Sequence, residues 1–462
     1  MGGSRSRVTD PRGMRLDPVA DGWRALGSLR GGPVEQPEWA AACLDAAAGG
    51  EALRLTAVRR GGRLVAVAPM ASRRVAGIAR RVMLGVDEQH EPMDLLAADP
   101  EALEALAGLL ARDPRPSVFG RVPADSPSVA ALRRAFRGRG VVVARPRAPF
   151  PFIALDDGWR EPERHLTPRR ASDLRRAMRR AERLGRVAAD VLTPCPDEVD
   201  ALLDEALAVE RRSWKGPAGT AIACDPAREA FIRSLAHGAA ERGNLRLAFL
   251  RIGGRAVAMQ IAMVQGGGLW LLKVGYDEGY ARCSPGVLLL RASIAQAARD
   301  GLTSYEFLGS SEPWIAVWTD QERATVRLSA YPFGLRGAAA LVADTVARAW
   351  QPAMRRAEPA RVRGRGVAGA SGTAVLEKVG HRYVAGPSLA DALRAEERVA
   401  DHGLDATLGF WDGPGLCPSE VAVHYREAIG ALGEGVRDTF VAVKLPALGM
   451  RADLLDQVAA DA

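Results

Sequence analysis

Residues 244–309 read NLRLAFLRIGGRAVAMQIAMVQGGGLWLLKVGYDEGYARCSPGVLLLRASIAQAARDGLTSYEFLG. Apolar runs interrupted by glycine-rich turns predict three successive antiparallel strands. RCSPG (282–286) then leads into VLLLRASIAQAARDG, whose apolar residues recur at helical spacing. TSYEFLG (303–309) returns to a strand. The order is a three-strand meander, a Ser-Pro-Gly loop, a helix and a strand. A loop of small residues feeding a helix start favours an anionic group, because unpaired backbone N–H groups and the positive end of the helix dipole converge there. Pro285 suits the first helical turn, Gly286 lets a ligand approach the backbone, and Arg282 can pair with a phosphate. Ser-Pro-Gly is also an ordinary helix start, so the loop takes its weight from the meander before it and the strand after it.

Working outward, the first hairpin of the meander has a double. LRLTAVRRGGRLV (53–65) matches LRLAFLRIGGRAV (245–257), and each follows a helical stretch, Pro37–Ala48 and Pro226–Arg242. Shared Leu-Arg-Leu starts, Gly-Gly-Arg centres and helical lead-ins point to duplication. The expected organisation is a disordered 1–19, lobes at 20–155 and 156–345, a helix end and linker at 346–380, and a separate unit at 381–462. The fold class is α/β (α+β): two tandem lobes with mixed, largely antiparallel sheets flanked by helices, plus a partial βαβ unit.

At 462 residues the chain is long enough for several cores, and 48% hydrophobic with 26% charged residues describes an ordinary globular composition. The net charge of +8 favours anionic partners such as nucleotide phosphates, nucleic acid or acidic lipid, unless it reflects only a general preference for arginine. Lysine occurs at only four positions, Lys215, Lys273, Lys378 and Lys444, which marks each as a place where a planar guanidinium is not expected to serve. The five cysteines, Cys43, Cys195, Cys224, Cys283 and Cys417, lack both disulfide and metal-ligand spacing, so no metal is expected. The start MGGSRSRVTDPRGMRLD carries no apolar signal segment, and no run approaches a membrane span, so a cytoplasmic location is expected. His90, His165, His237, His381, His402 and His424 are dispersed, and no Gly-x-Ser-x-Gly elbow follows a predicted strand, which disfavours a Ser–His–Asp hydrolase.

VERRSWKGPAGTAI (209–222), WLLKVGYDEGYARCSPGVLLL (270–290), YEFLGSSEPWIAVWT (305–319) and RLSAYPFG (327–334) together resemble the GNAT-type acetyltransferase domain of the CelD and FemAB-like group. Proteins of that group carry two GNAT lobes in one chain. The resemblance implies an acetyl-CoA or other acyl-CoA co-substrate, its pyrophosphate held at Arg282, Cys283, Ser284, Pro285 and Gly286. Some FemAB-like relatives use aminoacyl-tRNA instead. The implied chemistry is direct attack of an amine on a thioester, with a carboxylate as base, a tyrosine near the departing sulfur as acid, and backbone N–H groups of the meander's third strand for the oxyanion. The candidate bases are Glu306, Asp277 and Glu210, in that order, and Tyr280 is the candidate acid. Glu306 sits in an otherwise apolar strand and therefore either faces a cleft or is neutralised. Asp277 is equally well explained as turn chemistry. Lys273, costly to bury alone, is read as a contact to an acceptor carboxylate or to CoA, with a structural ion pair as the alternative. Trp214 and Lys215 are read as the acceptor floor, against a core tryptophan with an exposed lysine, and Trp314 is grouped with them as substrate-binding.

RHLTPRRASDLRRAMRRAERLGRV (164–187) predicts a basic helix with Ser172 as its N-cap and a narrow stripe of Leu174, Met178 and Ala181. Such a helix either holds phosphates or is simply solvated. No aromatic residues interleave with it, which argues against single-stranded nucleic acid, so tRNA is not the favoured partner. The favoured acceptor is a small-molecule, glycan-linked or lipid-linked amine. From 381 onward, helix, strand, helix and strand predict a parallel βαβ unit. RYVAGPSLADALRAEERVADHGLDATLGFWDG and VAVKLPALG, with Lys444, resemble the opening of the proline dehydrogenase barrel. A β/α barrel needs about 250 residues, so FAD binding by this chain alone is not expected. The competing functions are a CoA-dependent N-acyltransferase, an aminoacyl-tRNA-dependent transferase, an oxidoreductase fusion fragment and a silent binding protein.

Overall fold

A computed structural model describes residues 17–29, 31–46, 53–75, 77–85, 89, 91–357, 388–400, 407–410, 417–432, 440–443, 448 and 451–460. Lys378, Lys444, His90, His381, His402 and nearly all of the expected linker lie outside the described residues. The chain divides into two units, 1–347 and 348–462.

The first half of the larger unit runs through α1 (Asp17–Leu29), α2 (Pro37–Ala46), β1 (Leu53–Arg60), β2 (Arg63–Val75), β3 (Ile78–Met83), the short β4 (Leu96–Ala97), α3 (Pro100–Arg112), β5 (Ser117–Pro123), α4 (Pro127–Ala135) and β6 (Gly140–Ala154). The second half begins with α5 (Pro168–Glu182) and β7 (Val187–Leu192). It then repeats the first: α6 (Val199–Arg211), α7 (Pro226–Ala240), β8 (Leu245–Ile252), β9 (Arg255–Gln265), β10 (Gly268–Tyr276), α8 (Pro285–Arg299), β11 (Ser304–Glu306), β12 (Glu322–Pro332) and α9 (Leu335–Ala357). The duplication extends to single torsions. Gly61 and Gly62 have φ of 57° and 82°, and Gly253 and Gly254 have 58° and 83°, so both hairpins turn through the same left-handed pair that glycine adopts without strain. Helix α1 starts at Asp17, inside the stretch expected to be disordered, because Trp23 and Leu26 on it are buried and fasten it to the core. Helix α5 is capped by Thr167, whose hydroxyl accepts from Arg170 N, and not by Ser172. Pro168 fixes the first helical turn and leaves Thr167 as the cap.

The strands of the two halves form one mixed sheet of 12 strands, where two sheets were expected, in the order β1-β2-β3-β5-β12-β6-β11-β10-β9-β8-β7, with β4 beside β2. The pairs β3/β5 and β10/β11 are parallel and the other pairs of this sheet antiparallel. The centre of the order shows an exchange. Strand β6 closes the first repeat yet pairs with β11 of the second, and β12 closes the second yet pairs with β5 of the first. The two exchanged strands meet antiparallel from Glu322↔Pro151 to Pro332↔Gly140. Each half therefore covers the sheet edge that the other would leave open. One core runs through both halves, including Trp23, Met70, Phe119, Leu207, Phe231 and Phe249. Helices α2 and α7 meet through Trp39 and Phe231, edge to face with centroids 4.9 Å apart. Helix α5 lays Leu174, Ala177 and Ala181 against Cys283, Leu288 and Leu289.

Glu35 is a buried carboxylate on a 3-10 turn (Pro33–Glu35) between α1 and α2. It accepts from Gly32 N at 2.7 Å and Asp94 N at 2.8 Å. Burial outweighs these bonds and pushes its pKa from an ordinary 4.5 up to about 7. The folded protein thus holds this proton more tightly than the unfolded chain. The stabilisation is complete below the unfolded value and is lost as pH rises through about 7, up to roughly 3 kcal/mol. Urea unfolding at pH 5 and pH 8 is expected to show this slope in the wild type and a flatter one in Glu35→Gln. Equal slopes in the two proteins contradict it.

In the smaller unit, α10 (Leu389–Ala400) precedes β13 (Thr407–Gly409), α11 (Pro418–Leu432), β14 (Phe440–Ala442) and α12 (Ala452–Ala459). Strands β13 and β14 pair in parallel, as the reading from residue 381 expects. Val421, Tyr425, Leu448, Leu454 and Val458 form the core of this unit. Among the described residues no helix is long and apolar enough to cross a membrane.

Candidate active site

Strand β10 runs beside β11 only from Gly268↔Ser304 to Trp270↔Glu306. A bulge between Leu271 and Lys273 then re-aims β10, which continues along β9 to Tyr276. Strand β11 instead stays with β6, and Phe307 N donates to Pro151 O. After it, Leu308 and Gly309 both take left-handed φ, 57° and 55°. The two parallel strands therefore part beyond Trp270 and, among the described residues, leave the far half of β10 without a ladder partner on that side. This groove is the candidate site.

The Trp214–Lys215–Gly216 turn lies against β10. Lys215 Nζ donates to Glu210 Oε1 and to Val274 O, each at 2.9 Å, and Glu210 Oε2 accepts Ile222 N at 2.9 Å. Glu210 is buried and spent on these bonds, whereas Trp214 is 56% exposed. That reverses the alternative of a buried tryptophan beside an exposed lysine. A Cβ on Gly216 would stand 2.0 Å from Arg211 O, so only glycine closes this turn. Gly216→Ala is expected to cost about 2 kcal/mol by forcing the backbone apart, as read by urea unfolding. An unchanged midpoint contradicts that packing.

The other two candidate bases are also neutralised. Glu306, buried, is held by Arg323 through Nη2–Oε1 at 2.7 Å and Nε–Oε2 at 3.0 Å. Asp277 pairs with Arg212 at 2.8 Å and Arg255 at 2.9 Å, and accepts Gly279 N, which caps the 3-10 turn Glu278–Cys283. Tyr280 packs with the α5 cluster, with the Arg255 guanidinium over its ring at 6.0 Å. Trp314 is partly buried, its indole N–H bonded to Glu312 at 2.7 Å and its ring edge-on to Phe307.

At the start of α8 the donor-loop residues play different parts. Cys283 is turned into the core. Ser284 is left-handed, with φ 48°, its hydroxyl caps nothing, and its carbonyl accepts Val287 N and Leu288 N. Pro285 opens the helix, while the Gly286 N–H and the exposed Arg282 side chain have no partner among the described residues. The exposed Arg175, Arg179, Arg180 and Arg183 stand on or at the end of α5, which packs against this loop.

Lys273 makes no hydrogen bond or ion pair among the described residues. Burial pushes its ammonium below the usual range, and Glu91 pulls it back. Glu91 and Arg121 come from the first half and were not legible in the sequence. Arg121 Nη2 donates to Gly309 O at 2.9 Å and Ala148 O at 3.0 Å, and Gly309 N reaches Glu91 Oε2 at 3.5 Å. EQHEPMD around Glu91 has no pattern that marks a site. Only the fold carries it to β11.

Residues 168–314 match the family model described as acetyltransferase (GNAT) domain. The C-terminal domain of a putative lysylphosphatidylglycerol synthetase from Agrobacterium fabrum is similar at 12% identity and TM-score 0.47, covering 72% of this chain and 96% of that one. FemX is similar at 12% identity and TM-score 0.47, covering 69% and 96%. A tandem GNAT protein from the clavulanic acid biosynthesis pathway is similar at 15% identity and TM-score 0.38, covering 69% and 96%. No curated protein matches the chain. The family model and the meander, loop, helix and strand that fill its span agree: residues 168–314 form a GNAT acetyltransferase domain, which supports an N-acyltransferase.

Proposed function

We propose that the protein transfers an acyl group from acyl-CoA to an amine by direct attack on the thioester, in polysaccharide or cell-envelope metabolism as the CelD-like resemblance implies. One observation carries this reading: β10 and β11 part beside a helix start where the Gly286 N–H and the Arg282 side chain have no partner among the described residues. The thioester would lie along the unpartnered edge of β10, whose amides face the developing oxyanion. The pyrophosphate would take the Gly286 amide and Arg282. Trp214, Lys273 and Trp314 would flank the acceptor. The lobes 20–155 and 156–345 share one site in this reading, and 381–462 is a separate β/α unit for which we propose no flavin. The reaction belongs in the cytoplasm, where acyl-CoA is made.

The test is thiol release from acetyl-CoA in the presence of a panel of amines. The reading expects amine-dependent release, and none with any amine would refute it. The arginines of α5 beside the donor loop favour a second reading, in which an aminoacyl-tRNA is the donor. Binding of tRNA that weakens steeply with salt, with no acetyl-CoA turnover, would replace the first reading by the second.

A further inference from the structure

Resting on the acyl-transfer reading, we propose that Glu91, supplied by the first repeat, receives the acceptor ammonium and takes its proton in the groove of the second repeat. The three candidate bases of the second half are already neutralised: Glu306 by Arg323, Asp277 by Arg212 and Arg255, Glu210 by Lys215 and the Ile222 amide. Glu91 differs. It is buried, no cation lies within ion-pair distance among the described residues, and its one hydrogen bond is the long contact from Gly309 N. That amide follows β11 where it leaves β10, so the carboxylate stands at the mouth of the groove. Arg121 holds the same residue by its carbonyl, which fixes the left-handed Leu308–Gly309 turn from the first half. A buried carboxylate without a paired cation is expensive, and a positively charged acceptor offsets that cost.

The groups acting on Glu91 are Lys273 from β10, Arg121 from β5 and the Gly309 amide, and Lys273 in turn feels Lys215, Glu210 and Arg228. Burial pushes the Glu91 carboxyl above the usual range, with Lys273 and Arg121 pulling it back. A carboxylate whose pKa is raised is the stronger base toward an ammonium. In the reaction the ammonium gives one proton to Glu91. The freed nitrogen lone pair forms the C–N bond to the thioester carbon. The C–S bond breaks with its electron pair on sulfur, which takes the second nitrogen proton and leaves as the thiol. Glu91 then returns its proton to solvent.

The experiment compares wild type and Glu91→Gln on two acceptors with acetyl-CoA as donor. Ethanolamine is an ammonium at neutral pH, and hydroxylamine is already uncharged. The expected result is a loss of about 100-fold in kcat/KM with ethanolamine, little change with hydroxylamine, and loss of the acid limb of the pH profile with ethanolamine. The melting temperature should be unchanged or higher. Equal activity of the two proteins on both acceptors overturns the proposal, and so does an equal loss on both, which would mark a structural role. Wild type that releases no thiol with these two or any other amine of the panel refutes the acyl-transfer reading itself, and the proposal falls with it.

Discussion

Arg323→Ala is expected to lower the unfolding free energy by about 3 kcal/mol. Arg323 stands on β12 and Glu306 on β11, and β6 runs between them. The guanidinium reaches across β6, 3.8 Å over the Phe152 ring, to grip both oxygens of Glu306. Three strands from both repeats are thereby tied on one face of the sheet, where the exchange takes place. Removing the arginine leaves a carboxylate that is 2% exposed without its cation, and breaking a buried pair costs about 3–5 kcal/mol. The low end applies because the Arg323 side chain is itself 41% exposed, so water can replace part of it. Arg323→Lys should fall between, since an ammonium cannot repeat the bidentate grip. Replacing both partners by apolar residues should recover most of the loss. Urea unfolding measures all three, and an Arg323→Ala midpoint equal to wild type would remove the pair from the account of the exchanged strands.

Gly286→Val is expected to weaken acyl-CoA binding by more than about tenfold, without unfolding the protein. A Cβ at 286 would meet only the Tyr276 ring, at the ordinary distance of 3.6 Å. Alanine therefore fits and serves as the control. Valine adds branched methyls beside the one amide at the start of α8 that lacks a partner among the described residues, and these would screen it from a phosphate. Loss of one charge-assisted hydrogen bond costs about 1.5–3 kcal/mol, which is a tenfold to hundredfold change in affinity.

Much of this architecture was legible because it is local. The Gly-Gly hairpins, the helix starts at Pro37, Pro226 and Pro285, and the parallel strands around α11 all follow from turn chemistry and periodicity within short windows. The exchange of β6 and β12 was not legible, because a strand's alternation of side chains is the same whichever neighbour it pairs with. For the same reason, the apolar setting of Glu306 showed that it must be paired or face a cleft, but its partner, 17 residues away, was hidden. Asp277 kept its turn role, yet Arg212 and Arg255 reach it from separate elements. Glu91 lies far from β11 in sequence and meets it only through the folded sheet. The cap at Thr167 is a local signal, since Pro168 behind it takes the first helical position.

Titration calorimetry of acetyl-CoA into the wild type, Gly286→Ala and Gly286→Val tests most directly whether the loop after β10 holds a thioester donor. The account predicts one site per chain with a Kd of about 1 μM in the first two, and at least roughly tenfold weaker binding in the valine variant. No heat with the wild type, or the same affinity in all three proteins, would contradict it.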